Sequence, residues 1–206
     1  MATVSRGDPW KIGFFLAVAL AILLVIWVDE RFLIFPADPE WRHIAPFQGK
    51  LLIHGLFGAT ALLIGPFQFS SRLRAARPKL HRWMGRTYVA AVTISAPLAT
   101  WIGFHYEQPF TAPEQIAQGG FWFLCTGMAF LCALRRQFAA HKVWMMRSYG
   151  FCLVFIFSRV PDAIPGFHWT DMMLAHTLWW LIAAALVGPD LILTARLLAR
   201  GKHRPA

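Results

Sequence analysis

Charged residues are what this sequence has least of. Only 15% of its 206 residues are charged and 57% are hydrophobic, and the mean hydropathy is +0.49. A water-soluble domain carries roughly 25% charged residues. The deficit excludes an ordinary soluble domain and predicts an integral membrane protein, organised as one membrane domain over residues 1–206.

Acidic residues are scarcer still, with ten Asp and Glu against twenty Lys and Arg, so the formal net charge is +10. A strongly basic balance can indicate nucleic-acid binding. Here the cations form clusters between apolar runs, the distribution that sets topology in membrane proteins. We therefore expect no nucleic-acid partner, and the expected partner is the lipid bilayer with its anionic phospholipids.

The chain also lacks the motifs of disulfide and zinc chemistry. Its three cysteines, Cys125, Cys132 and Cys152, lie inside apolar runs and form neither a disulfide framework nor a C-x-x-C site. No H-x-x-x-H, H-E-x-x-H or acid-rich metal motif occurs. A zinc hydrolase is disfavoured because its general base, typically Asp or Glu, should sit in the membrane beside the histidines, and the only acid deep in an apolar run is Asp190.

Six apolar runs approach the ~20 residues that cross a bilayer. They predict an all-α fold, a polytopic bundle of six transmembrane helices. The predicted spans are Ile12–Val28, Leu51–Phe69, Thr87–Tyr106, Gln115–Leu134, Val143–Pro161 and Met172–Pro189.

The connections between these runs alternate in charge. Ser70–Arg86 contains six Lys or Arg and Arg135–Arg147 contains four, and neither segment has an acid. The other three connections hold most of the Asp and Glu. Because an excess of Lys and Arg on short loops marks the cytoplasmic side, both termini are predicted to be cytoplasmic.

Two of the cation-rich segments nearly repeat each other. His81–Tyr88 reads H-R-W-M-G-R-T-Y, and His141–Tyr149 reads H-K-V-W-M-M-R-S-Y. The repeat predicts two similar helices that present two imidazoles at one depth. Imidazole is the commonest metal ligand and an axial ligand of haem iron. We expect His81 and His141 to form a cofactor site.

Three nearby arginines, Arg82, Arg86 and Arg147, would balance the charge of haem propionates at that site. The alternative is a basic cluster at the membrane interface that binds lipid phosphate. Asp190 is expected to pair with Arg196 or with an arginine of the cytoplasmic face. Gln68 is expected to cap backbone freed by a nearby proline or to contact a quinone head group.

A second pair, His54 and His176, lies about one turn into spans two and six from the outside. Imidazole within hydrocarbon is unfavourable unless it is paired or ligated, so these residues predict a second cofactor site. The alternative for each is a hydrogen bond to a carbonyl or to a neighbouring helix.

Three motifs carry a resemblance to a known family: Gly65–Phe69 (G-P-F-Q-F), Arg77–Tyr88 and His141–Tyr149. Over roughly Lys50–Arg159 the chain resembles the bacterial membrane family DUF2306, a domain of unknown function. The resemblance implies a multi-pass protein of the bacterial cytoplasmic membrane and brings no established activity.

A weaker likeness connects the histidine-bearing helices to di-haem membrane proteins of the cytochrome b561 type. It includes the H-x-x-x-G step from His81 to Gly85. The likeness implies haem b, each group held by two histidines from alternate helices. Span four has no histidine to match His54, so His176 would have to be recruited for the second haem.

The sequence therefore favours a membrane haem b protein that transfers electrons within or across the cytoplasmic membrane, with a quinone as a further candidate partner. One alternative is a non-redox bundle that binds lipid or anions, or a small transporter, with the same cytoplasmic His and Arg residues. Another is a metal-dependent membrane enzyme. No catalytic residue is assigned.

Overall fold

Every secondary-structure element that the structure describes is helical. The structure is a computed structural model, and it describes residues 9–28, 42, 44–106 and 112–201. The helices are α1 (Pro9–Val28), α2 (Gln48–Gln68), α3 (Ser71–Ala76), α4 (Pro78–Tyr106), α5 (Ala112–Leu134), α6 (Phe138–Arg159), a 3-10 turn (Val160–Ala163) and α7 (Asp171–Gly201). The predicted all-α membrane bundle is confirmed.

Five of these helices are long and apolar enough to cross a membrane: α2, α4, α5, α6 with its 3-10 turn, and α7. In α1 the corresponding apolar stretch, Gly13–Val25, is shorter. Five of the six predicted spans thus have a helix of the required length. The sixth span and the cytoplasmic placement of both termini stay predictions.

The helix bounds differ from the predicted spans at the cation-rich segments. Residues 70–86 were expected to form a loop, but they contain α3 and the first turns of α4, which begins at Pro78. The Ser70 hydroxyl caps α3 by accepting from the Leu73 amide at 3.1 Å, and proline is favoured at a first helical position. Similarly, α7 continues through Pro189 to Gly201.

Four helices form a closed ring in which α2 packs on α4, α4 on α5, α5 on α6, and α6 back on α2. Because short connections join α4 to α5 and α5 to α6, α4 and α6 run parallel and lie diagonally across the ring. The other helices pack outside it, α7 against α6 and α5, and α1 against α6 and the 3-10 turn.

Glycines allow the closest approaches between helices, as small residues commonly do in membranes. A Cβ atom on Gly119 of α5 would come within 2.9 Å of the Ala96 carbonyl oxygen of α4 and would overlap the Thr100 hydroxyl. One on Gly150 of α6 would lie 3.0 Å from the Ala185 Cβ of α7. A backbone atom cannot move aside cheaply, so Gly119 fixes the α4–α5 spacing.

We predict that Gly119→Ala lowers the free energy of unfolding by about 1–3 kcal/mol, the usual range for overpacking. Unfolding in a graded detergent–SDS titration, followed by circular dichroism, measures this. Gly120→Ala is the matched control, because a Cβ there meets nothing within 4 Å, and it should leave stability unchanged or slightly raised. Equal stabilities for the two variants would contradict the α4–α5 packing.

A candidate histidine site at the basic end of the bundle

A chain of buried hydroxyl groups joins three helices of the ring. The Tyr88 hydroxyl of α4 lies 2.8 Å from Ser148 Oγ of α6, which lies 2.7 Å from Thr126 Oγ1 of α5. Thr126 donates to the Trp122 carbonyl at 2.8 Å. The single hydroxyl proton of Thr126 is used in this bond, so Ser148 must donate its proton to Thr126. Tyr88 must then donate to Ser148. The side chains of α4 and α6 therefore meet across the ring diagonal.

This contact fixes the relative depth of the two histidines of the repeated motif. His81 lies seven residues before Tyr88, and His141 lies seven residues before Ser148. Seven residues are about two helical turns, roughly 10.5 Å, and return to nearly the same face. Because α4 and α6 are parallel, His81 and His141 start from one depth and face each other. We call this the basic end, where α2 ends and α4 and α6 begin.

The ring of His141 is oriented by a hydrogen bond. Its Nδ1 lies 2.8 Å from the Ala129 carbonyl oxygen of α5. A carbonyl oxygen can only accept, so this bond assigns the proton to Nδ1, and Nε2 of the neutral ring keeps its lone pair. Histidines that bind metals are held in this way, with one nitrogen donating to a carbonyl and the other coordinating.

The ring of His81 is half-buried, and its Nδ1 has no hydrogen-bond partner among the described residues. Arg74, Arg82 and His141 are near enough to interact with it electrostatically. His81 thus combines an unused buried nitrogen with positively charged surroundings, which attract an anionic group.

Gln68, the last residue of α2, lies one turn deeper in the bundle. It is only 9% exposed, and a Cβ on Gly85 would lie 3.2 Å from its Oε1. Gly85 is one turn beyond His81 on the same face of α4. The Gln68 Nε2 is buried without a hydrogen-bond partner among the described residues. Gln68 therefore lies beneath the His81 side of the site.

The three predicted arginines occupy different positions. Arg82 and Arg86 are exposed on the first turns of α4. Arg147 instead joins α6 to α7: its Nε donates to the Leu186 carbonyl at 3.0 Å, and its Nη2 lies 2.6 Å from Asp190 Oδ2. The expected pairing of Asp190 with an arginine of the basic end is confirmed.

The second histidine pair is not brought together. His54 donates from Nδ1 to the Ser95 carbonyl at 3.0 Å, and the Ser95 hydroxyl donates to the His54 carbonyl at 2.9 Å. His176 is exposed on α7, which has no extensive contact with α2. His54 is thus held between α2 and α4, and His176 lies outside the ring.

Tyr88 and Ser148 were not picked out as functional from the sequence, although the signal is in the repeat. When the two copies are aligned at their histidines, Tyr88 corresponds to Ser148, because each lies seven residues after its histidine. When they are aligned at their last residues, Tyr88 corresponds to Tyr149 instead, because the second copy is one residue longer. Within the described ranges, no three His, Cys, Asp or Glu side chains cluster as metal ligands.

A family model covers most of this arrangement. It matches residues 51–198, from the first turns of α2 to near the end of α7, and includes both histidine motifs. The chain belongs to the DUF2306 family of predicted membrane proteins. The resemblance seen over Lys50–Arg159 is confirmed and extends through α7. This DUF2306 protein is a multi-pass membrane protein.

The remaining comparisons add no relative. Neither a curated protein nor a solved structure matches the DUF2306 chain significantly. The family description names no activity, substrate or cofactor. The likeness to cytochrome b561-type proteins therefore stays an expectation.

A double-mutant cycle tests the diagonal contact on which the histidine geometry rests. We expect Tyr88→Phe and Ser148→Ala each to destabilise the protein, because each removes a buried hydrogen bond of the hydroxyl chain. Their effects should be non-additive by about 0.5–1.5 kcal/mol, measured by SDS titration.

Tyr88→Phe combined with Ser158→Ala is the matched control. Ser158 is buried on the same helix, but its hydroxyl bonds within α6, to the Phe155 carbonyl at 3.0 Å. That pair should be additive. Additive behaviour of the Tyr88–Ser148 pair as well would show that the two hydroxyls do not meet.

Proposed function

We propose that this DUF2306 protein is a haem b protein that transfers electrons within the bacterial cytoplasmic membrane, with haem held between His81 and His141. The supporting observation is that the Tyr88–Ser148 contact aligns α4 and α6 two turns beyond the histidines of the repeated motif, and that His81 and His141 are near enough to interact electrostatically. Helix bundles build cofactor sites from such side chains on facing helices.

The residues present fit the group. α4 and α6 make no extensive contact with each other, and the side chains of Tyr88 and Ser148 bridge them. His141 donates from Nδ1 to a carbonyl, which leaves Nε2 as its coordinating nitrogen, and the buried His81 Nδ1 has no partner among the described residues. Bound haem b would supply one-electron transfer between the ferric and ferrous states of its iron.

Other residues would orient and insulate the group. Arg82 and Arg86 are exposed cations on the helix that carries His81 and would attract propionate carboxylates. Below the histidines, Tyr88, Val92 and Phe151 are almost fully buried and exclude water from the interior of the ring. Since His54 and His176 are apart, we propose a single haem at the basic end.

A single haem close to one surface suits transfer between a carrier dissolved in the membrane, such as a quinol, and a partner on the same face. We place that face on the cytoplasmic side because it contains the Lys- and Arg-rich connections. The protein's own residues would hold the cofactor, and none is assigned a catalytic role.

Binding of anionic lipid is the second candidate function. It is favoured by a set of exposed cations around the same histidines, a pattern suited to phospholipid head groups. The set is Arg72, Arg74, Arg77, Lys79, Arg82, Arg86, Arg135, Arg136 and Lys142.

The visible spectrum distinguishes these functions. We expect protein purified in mild detergent to show a Soret band and, after dithionite, sharp reduced α-bands, both lost or strongly weakened in His81→Ala and in His141→Ala. His105→Ala is the matched control, because this exposed histidine lies at the other end of α4 and its Nδ1 bonds the Trp101 carbonyl of its own helix at 2.9 Å.

A colourless wild-type protein, purified from cells supplied with haem precursor, would overturn the haem proposal. Stabilisation of that colourless protein by phosphatidylglycerol, but not by phosphatidylcholine, would support lipid binding. Stoichiometric zinc in it would instead support a metal-dependent enzyme.

A further inference from the structure

We propose that Gln68 is a positioning residue of the histidine site, whose side-chain amide donates a hydrogen bond to the group held between His81 and His141. This inference rests on the proposed function and adds a residue from a third helix. The sequence also suggested that Gln68 caps backbone freed by the nearby proline. Its Nε2 bonds no carbonyl among the described residues, so it does not cap backbone in this way.

The register between α2 and α4 places Gln68 next to the site. The two helices are antiparallel, with Gly58 against Ser95 near their middle and Gln68 against Gly85 nearer the basic end. Gly85 and His81 are four residues apart on one helix, so they share a face and differ by about 6 Å in depth. Gln68 therefore lies one turn below His81 on the face that carries the histidine.

Gly85 is what gives the amide its position. Any side chain at 85 would bring a Cβ to 3.2 Å from Gln68 Oε1, closer than Cβ atoms usually approach a neighbour. The H-x-x-x-G motif thus combines the proposed ligand His81 with a glycine one turn along the helix. The missing side chain of that glycine leaves the space that the Gln68 amide of α2 occupies.

The backbone beneath the amide is fixed by α6. The Tyr149 ring packs on Gly65, and its hydroxyl donates to the Leu62 carbonyl at 3.3 Å. The last carbonyls of α2 accept from backbone amides, Phe69 N to Pro66 O and Ser70 N to Phe67 O, each at 3.2 Å. The Gln68 amide is therefore not needed to satisfy the helix end.

Nε2 is therefore a buried donor with no acceptor among the described residues. Buried donors nearly always have a partner, and hydrocarbon offers none. An acceptor on a group held between the two histidines would supply one. A donor directed at the site places positive charge density there and favours the electron-rich, reduced state of the bound group.

Potentiometric titration of the purified haem-bound protein tests this. We expect Gln68→Leu, which keeps the volume and removes the donor, to retain haem and to lower its midpoint potential. Gln137→Leu is the matched control: this glutamine is also at the basic end, but it is exposed and makes no capping bond. Its midpoint potential should equal that of the wild type.

Gly85→Ala provides a second variant that keeps the glutamine. Its added Cβ must displace the amide by a few tenths of an ångström, so the midpoint potential should move in the same direction by a smaller amount. This variant decides the matter if Gln68→Leu does not accumulate.

The outcomes separate this inference from the proposed function. A wild-type protein without haem overturns both. If the protein binds haem but Gln68→Leu and Gln137→Leu have the same midpoint potential, only the role of Gln68 is overturned. If Gln68→Leu does not accumulate, equal midpoint potentials of Gly85→Ala and the wild type have the same meaning.

Discussion

The buried hydroxyl chain from Tyr88 through Ser148 to Thr126 is the constraint on which the proposed site depends. Apolar side chains slide past each other at little cost in lipid, because hydrocarbon is as good a neighbour as another leucine. Hydroxyls do not, since each needs a partner that the bilayer cannot provide. Rotating α6 by a single residue would turn Ser148 through 100° and break the chain. The hydroxyl chain therefore fixes both the rotation and the depth of α4 and α6 relative to each other. The histidines lie two turns away on the same helices, so their relative depth is fixed as well.

The histidines at the two ends of the ring differ in their hydrogen bonding. Toward the far end, His54 and Ser95 bond each other's carbonyls, so the imidazole already has a structural role between α2 and α4. At the basic end, His141 is oriented, while His81 Nδ1 and Gln68 Nε2 have no partner among the described residues. Departures from full hydrogen bonding in folded proteins concentrate at functional sites. Buried atoms without a partner among the described residues also occur at the far end, Glu114 Oε2 among them. The basic end is the better candidate because one such atom there belongs to a histidine that lies near a second, oriented histidine.

The sequence predicts five of the membrane-crossing helices, because apolar runs of bilayer length leave few alternatives. The repeat predicts that His81 and His141 lie at equivalent depth. The sequence could not identify neighbours around the ring. His54 and His176 were paired because both lie about one turn from the outside, but depth along a span says nothing about which helix is adjacent, and α7 packs outside. The Arg-rich segment before Thr87 is helical, although its charge predicts the end of a span. Its proline and its serine cap begin helices there instead.

The ion pair between Arg147 and Asp190 has a consequence for the charge of the site. Arg147 belongs to the second copy of the motif and was expected to serve the cofactor together with Arg82 and Arg86. Its guanidinium also lies 4.5 Å from the Trp144 ring and bonds the Leu186 carbonyl, so it is committed to joining α6 and α7. The cations available to a ligand are then mainly on α4 and α3, on the side of His81. The two imidazoles are equivalent in the repeat, but more cations surround His81 than His141. The acidic groups of a bound molecule should therefore point toward α4.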